Sequence, residues 1–250
     1  MDREQNQFIF GVNPVLEKLK VSPRDVMELM IVRGKPRPAL RSIEEAAKSQ
    51  GLPIRYLESG ELDRIAGDSK HQGVVAKVDS YSYGQFDSLL QGLPSSAPQD
   101  WILCLDGIQD PRNFGALLRC AEGAGIRHVV IPKDRSVGVT PTVIKSSAGA
   151  AHYEKIYRVS NLRRAILALK DKGYWVVGLD GRAQESLYEK VYPEKLAVVL
   201  GSEGKGIRPL ILQECDFVVS IPMRGKIASL NVAVAGGIFL YELLRRKEIR

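Results

Sequence analysis

The sequence predicts an α/β protein: a C-terminal, mainly parallel sheet covered on both faces, preceded by a smaller α/β domain. Three observations predict it. Short β-branched runs alternate with amphipathic stretches along most of the 250 residues, the pattern of strands joined by helical crossovers. The later runs, such as Leu196–Leu200, are continuously apolar, as in strands buried on both faces. A Ser-, Gly- and Pro-rich stretch, Ser80–Gln99, separates two series of such elements and has the composition of a linker. The expected organisation is a domain over 1–80, a linker over 81–99 and a larger domain over 100–250.

In the first region, strands are expected at Val26–Val32, Ile54–Leu57 and Val74–Val78, and helices at Pro14–Lys20, Ser42–Gln50 and Glu61–Ala66. In the second, the buried strands are Trp101–Leu105, Val129–Pro132, Tyr174–Leu179, Leu196–Leu200 and Phe217–Ile221. Helices are expected between them at Gly115–Ala124, Asn161–Lys170 and Pro209–Glu214, and a last one over Val232–Arg246. There is no internal repeat and no low-complexity tract.

Composition narrows the function classes. Apolar residues make up 44% and charged residues 26% of the chain, which is ordinary globular usage and excludes a disordered chain. The apolar run Val232–Leu240 is far short of the roughly 20 residues of a membrane span. The start, MDREQNQFIF, is charged where a signal peptide carries an apolar core. Cys104, Cys120 and Cys215 are odd in number and widely spaced, with no Cys-x-x-Cys pair, so neither a disulfide framework nor a structural metal is expected. The expectation is a cytoplasmic protein with no membrane partner. Its net charge is +7, with 13 basic and 12 acidic side chains in residues 1–80 but 23 and 17 in 81–250. That excess hints at a polyanionic partner.

Two glycine clusters are misleading. Gly123-Ala-Gly125 follows a helix and leads into a strand, the reverse of a dinucleotide fingerprint, which disfavours a nucleotide-dependent oxidoreductase. Gly201-Ser-Glu-Gly-Lys205-Gly follows a strand but has the wrong spacing for a P-loop. Three segments carry more weight together. In Leu105–Arg119 a strand ends, an Asp110-Pro111-Arg112-Asn113 turn follows and a helix begins, with Asn113 placed as its N-cap. Arg119 lies among Ala116, Leu117, Leu118, Cys120 and Ala121; its partner is either a structural carboxylate such as Asp106 or a ligand phosphate. The second segment is the loop Gly201–Gly206 around Glu203. In the third, a strand enters Pro222 and Gly225, and Ser229 and Asn231 precede a small-residue helix. Both of these loops follow the carboxyl ends of strands, where open α/β sheets bind ligands.

These residues resemble the signature motifs of the SpoU (TrmH-type) branch of the SPOUT superfamily, S-adenosylmethionine-dependent RNA ribose 2′-O-methyltransferases. The first motif is Asp110-Pro111-x-Asn113-x-Gly115-Ala116-x-x-Arg119-x-Ala121. The second is Gly201-x-Glu203-Gly204-x-Gly206, and the third Ile221-Pro222-Met223-x-Gly225-x-x-x-Ser229-Leu230-Asn231-Val232. Ala233 stands where many members carry Ser. Residues 1–80 resemble the L30e-like substrate-binding domain of part of the family, through Phe10-Gly11-x-Asn13-Pro-Val15 and His71-Gln72-Gly73-Val74-Val75-Ala76.

The resemblance implies a deep trefoil knot, a homodimer with the Val232–Arg246 helix at its interface, and S-adenosyl-L-methionine as methyl donor. It implies that Arg119, Asn113, Glu203, Ser229 and Asn231 form the catalytic set. The cofactor would lie against Leu179, Gly181, Leu200, Gly201, Glu203, Ile221, Met223, Ser229 and Leu230. The nearest members methylate a guanosine of 23S rRNA, either free or in a ribosome-assembly intermediate; tRNA is the alternative substrate, and a non-catalytic RNA-binding protein the alternative class. Because an arginine pKa exceeds about 12, Arg119 fits a grip on the neighbouring phosphate better than proton removal. Arg112, Lys145, Lys205, Arg224, Lys226, Arg33, Lys35, Arg37 and Arg41 are the further candidates for RNA contact, while His71, Tyr81 and Tyr83 suit packing better than base stacking.

Overall fold

β-branched runs set the strands and polar caps set the helices, in the following chain order. The structure, a computed structural model, describes residues 7–34, 38–68, 70–93, 100–227 and 229–248. Its first elements are β1 (Gln7–Phe10), α1 (Val12–Val21), β2 (Val26–Val32), α2 (Pro38–Ser49), β3 (Ile54–Leu57), α3 (Ser59–Ala66) and β4 (Val74–Val78). Then come α4 (Phe86–Gly92), β5 (Asp100–Asp106), α5 (Pro111–Gly123), β6 (His128–Pro132), α6 (Pro141–Ser146), β7 (Lys155–Val159) and α7 (Leu162–Asp171). The last are β8 (Trp175–Leu179), β9 (Glu185–Ser186), β10 (Lys195–Gly201), α8 (Pro209–Leu212), β11 (Phe217–Ser220) and α9 (Val232–Glu248).

The chain divides into two units, and the smaller comprises Met1–Ser82 together with Val139–Tyr153. Its sheet runs β1-β4-β2-β3, with β4 antiparallel to both neighbours and β3 parallel to β2. Phe10, Met30, Leu57, Leu62 and Val75 form a buried cluster on it. The two sequence segments singled out in this region meet here. Gln72, at φ +58, turns its side chain to the start of α1, where its Oε1 accepts from the Val12 N–H at 2.8 Å. His71 is buried, as packing required: its Nδ1 accepts from the Gly73 N–H at 2.9 Å, and its Nε2 lies 3.1 Å from Asp63. Helix α6 belongs to this unit, and Lys145 is spent there on Asp68 (2.6 Å) and over the Phe10 ring (4.4 Å). Lys145 is therefore a structural cation, not a free RNA contact.

The larger unit, Tyr83–Gly138 with Glu154–Arg250, holds a seven-stranded sheet in the order β7-β6-β5-β10-β8-β11-β9. Every pairing in it is parallel, as the apolar strand runs predicted. Alternate residues face opposite sides: Ile102, Cys104, Val176, Ala197 and Val199 meet Leu162, Ile166 and Leu169 of α7. The other face is covered by α5 and α9, whose approach is permitted by glycine. A Cβ at Gly236 would come within 2.4 Å of Leu117 and 2.8 Å of Leu200.

The stretch read as a linker is partly ordered. Phe86–Gly92 forms α4, whose Leu89 is buried in the main core with Phe86 and Leu90 packed beside it. Its Ser and Gly content hid a short amphipathic turn. Residues 94–99 lie outside the described residues, as do Lys35 and Arg37.

Candidate active site

Strands β10, β8 and β11 lie side by side in the sheet, and the loops beyond their carboxyl ends open a crevice, the place where open α/β sheets bind ligands. Three loops meet there. The first follows β8 at Leu179–Arg182. The second leaves β10 at Gly201 and closes on itself, Ser202 N–H donating to Gly206 O (3.1 Å) and Gly206 N–H to Ser202 O (2.8 Å). The third runs from Ile221 to the start of α9. Together they enclose a cavity of about 390 Å³, within the roughly 300–1,000 Å³ range of small-molecule sites.

The nine residues expected against a cofactor, Leu179, Gly181, Leu200, Gly201, Glu203, Ile221, Met223, Ser229 and Leu230, all line this cavity. Asp180 and Ser202, which lie inside the same loops, line it too, as do Lys205, expected at the RNA, and Arg182, which nothing in the sequence pattern marks. The walls suit an adenosine joined to an amino-acid tail: Leu179, Leu200, Ile221 and Leu230 are apolar, and glycine exposes backbone donors and acceptors between them. Gly201 is required by the protein's own backbone. A Cβ there would lie 2.1 Å from the Gly206 carbonyl carbon and 2.2 Å from the Ile207 nitrogen, so it is the loop folding back on itself that requires glycine. Gly225 has nothing within 4 Å of its Cβ position and does not line the cavity; close ligand approach does not explain it.

At one edge of the cavity, three side chains form a directed relay. Helix α5 is capped by Asp110, not Asn113: its carboxylate accepts from the Arg112 N–H at 2.6 Å and the Asn113 N–H at 3.0 Å, with Pro111 in the first turn. Pro111 supplies a helical φ and lacks the N–H a helix start leaves unpaired, so the helix begins three residues earlier than a cap at Asn113 would start it. Asn113 is thereby freed to face the site. Its Nδ2 donates to Glu203 Oε2 at 3.0 Å, and its Oδ1 accepts from Asn231 Nδ2 at 2.9 Å. Asn231 Oδ1 in turn caps α9, accepting from Ala233 N–H (2.9 Å) and Val234 N–H (3.3 Å). The amide orientations follow without choice. The helix N–H groups need an acceptor, so Asn231 presents its NH₂ to Asn113, which must present its own NH₂ to the carboxylate.

Arg119 is not part of this cluster. Six residues after Asn113 on α5, it is displaced roughly 9 Å along the axis and about 120° around it. It is exposed and outside the cavity lining. Its suggested partner Asp106 is taken by Arg208, whose Nε and backbone N–H donate at 2.7 and 2.8 Å. Among the described residues no ion pair involves Arg119, which leaves its guanidinium available to a ligand. Burial pushes the thiols of Cys104 and Cys215 up to about 12 and raises that of Cys120.

Comparison with known proteins agrees with this architecture. The SpoU rRNA Methylase family matches residues 100–241, and the RNA 2′-O ribose methyltransferase substrate binding family matches residues 8–84. The 23S rRNA (guanosine-2′-O-)-methyltransferase RlmB of Xanthomonas campestris is 42% identical over 245 residues, covering 98% of each chain. The protein of the same name from Escherichia coli is 38% identical, covering 97% of this chain and 99% of its own. Among solved structures, the SpoU methyltransferase AviRb of Streptomyces viridochromogenes in complex with the cofactor AdoMet superposes with a TM-score of 0.79 at 21% identity, covering 98% of this chain and 92% of its own. With signature segments, sheet order and both family matches in agreement, the chain belongs to the SpoU rRNA methylase family.

Proposed function

We propose that this protein transfers a methyl group from S-adenosyl-L-methionine to a ribose 2′-hydroxyl of RNA, with a guanosine of 23S rRNA as the target. The Glu203–Asn113–Asn231 relay beside the three-loop cavity carries the reading, and full-length similarity to guanosine-2′-O-methyltransferases supports the target. The sulfonium methyl donor supplies an activated one-carbon group for in-line displacement. The protein must supply placement of the hydroxyl and a route for its proton. Glu203 and Asn113 orient the ribose at the cavity edge, and Ser229 and Asn231 complete that wall. Arg119 grips the phosphate next to the target ribose, and the hydroxyl proton leaves to that phosphate or to a water on it. Leu179, Gly181, Leu200, Gly201, Ile221, Met223 and Leu230 hold the donor, and the loops are threaded as the family's trefoil knot.

The protein acts in the cytoplasm as a homodimer, on free rRNA or an assembly intermediate. Val234 and Tyr241 support a dimer contact, being about half exposed on α9. Arg112, Lys205, Arg224 and Lys226 are exposed around the motifs and supply further phosphate contacts. The test is incubation with labelled S-adenosylmethionine and rRNA lacking the modification. Label is expected as 2′-O-methylguanosine in 23S rRNA. Cofactor binding without transfer would favour the non-catalytic alternative, and label on tRNA alone would replace the substrate.

A further inference from the structure

Register places two carboxylates on either side of Gly201. Asp106 of β5 is its sheet partner, and Leu200 pairs with Leu179 of β8, so that Asp180 follows at the level of Gly201 on the other side. Both side chains are buried, 0% exposed for Asp106 and 4% for Asp180. The loop that leaves Gly201 folds back over it and exits through Ile207 and Arg208. Asp180 packs against the end of this loop: a Cβ at Gly206 would stand 3.0 Å from its Oδ2 and 3.6 Å from Arg182 Nη2. Arg182 first, with the Ile207 N–H helping, holds the Asp180 carboxyl below the ordinary range; Arg208 donates to Asp106 at 2.8 Å. Asp106 stands apart from the cavity, whereas Asp180 lines it.

Asp180 also organises its own loop. Arg182 donates to it through its backbone N–H (3.0 Å), Nε (2.8 Å) and Nη2 (2.7 Å). A buried carboxylate is costly without such partners, and charge-assisted bidentate pairs are among the stronger polar contacts. The Arg182 side chain is 70% exposed, so the pair spans from the buried floor of the cavity to its rim.

We propose that Asp180 is a positioning residue for the cofactor pocket, locking the loop after β8 to the exit of the Glu203 loop, with Arg182 as its counter-charge. The proposal rests on the cofactor reading above only for what the pocket binds; the lock itself is a property of two loops. With Asp180 removed, the walls formed by Leu179–Arg182 and Gly201–Gly206 move independently and the donor loses a preformed site. Asp180→Asn keeps size and one acceptor but loses the charge that holds Arg182, and is the milder variant.

The experiment compares the unaltered protein with Asp180→Ala, Asp180→Asn and Arg182→Ala. Three readouts are taken: calorimetric binding of S-adenosylmethionine, hydrogen exchange without cofactor, and methyl-transfer kinetics. A charge-assisted hydrogen bond is worth enough for about a tenfold loss of cofactor affinity in Asp180→Ala. The expected pattern is that loss, a matching rise in KM for the donor, kcat within about threefold at saturation, and unchanged affinity for RNA. Asp180→Asn and Arg182→Ala fall between the extremes. Exchange is expected to quicken at residues 180–183 and 201–207 and to stay unchanged in α7 and β6. Cofactor affinity within about twofold of the original in Asp180→Ala, or exchange quickened throughout the unit, overturns the proposal. Should the unaltered protein fail to bind S-adenosylmethionine, the functional reading falls, while the cofactor-free exchange still decides whether the lock exists.

Discussion

At the scale of single residues, the site depends on which way two amides point. Asn231 serves two masters: its oxygen caps α9 and its nitrogen fixes Asn113. Substitution separates these roles. Asp is as good an N-cap as Asn, so Asn231→Asp should leave the melting temperature within a few degrees. It nevertheless turns a donor into an acceptor facing Asn113 Oδ1, and Asn113 can no longer hold Glu203 as observed. Methyl transfer should fall at least about tenfold, the equivalent of one lost hydrogen bond to a charged group. Asn231→Ala loses the cap as well, at about 1 kcal/mol, and should lower both stability and rate. Thermal melts beside initial rates check this; an active Asn231→Asp enzyme sinks the relay. The relay shows how far sequence carries at this scale. Asn113, Glu203 and Asn231 were all legible as site residues, but their linkage was not, because they are separated by 90 and 118 residues. The N-cap was misassigned because Asp110 and Asn113 are both favoured capping types, and only Pro111 between them decides the start.

At the scale of elements, strands buried on both faces announced themselves, and β2, β3 and β4 begin and end at the residues the sequence pattern predicts. The elements missed were β1, β7, β9, α4 and α6, short segments in which polar and apolar residues mix without a clear period. Helix α9 was legible, but the use of its basic end was not. Arg245, Arg246 and Lys247 suit a helix C-terminus, yet Arg246 reaches the backbone carbonyls of Leu187, Tyr188 and Lys190. It is held for that task by Glu242, which also pairs with Arg245. Hydrogen bonds from Arg245, then Arg246, hold the buried Glu242 carboxyl down to about 2. The folded-state value lies below the ordinary 4.5, so the pair stabilises above that pH and the contribution is lost as pH falls from about 4.5 toward 2. Glu242→Gln should cost about 1–2 kcal/mol at pH 7, a figure reduced for the solvent that screens Arg245, and much less near pH 2. Urea unfolding across that range checks it; an equal cost at both pH values sinks the electrostatic account.

At the scale of the whole molecule, the charge count takes on a location. The region matched as substrate-binding is nearly balanced, while the excess of six positive charges falls in residues 81–250. On the proposed function, selection of RNA by the first region would rest on shape and local patches, with phosphate attraction concentrated where the methyl group is delivered. Chain order, however, is a poor guide to where one unit stops. Val139–Tyr153 lies deep within the methylase match but belongs to the smaller unit. There Lys145 pairs with Asp68, Tyr153 hydrogen-bonds Glu17, and Gly149, at φ +92, lies so close to α1 that a Cβ would meet Glu17 at 2.8 Å. A fragment ending at residue 82 would therefore lose part of its own core. Buried there are Val143, Ile144 and Ala151, each apolar side chain of Val or Ile size contributing roughly 1.5–3 kcal/mol, a large share of the stability of a domain this small. Residues 1–82 alone should melt broadly or expose apolar surface, whereas the same fragment joined by a flexible linker to residues 139–153 should melt cooperatively. Differential scanning calorimetry of the two fragments decides it, and cooperative melting of 1–82 at the temperature of the joined form would place the boundary at the linker after all.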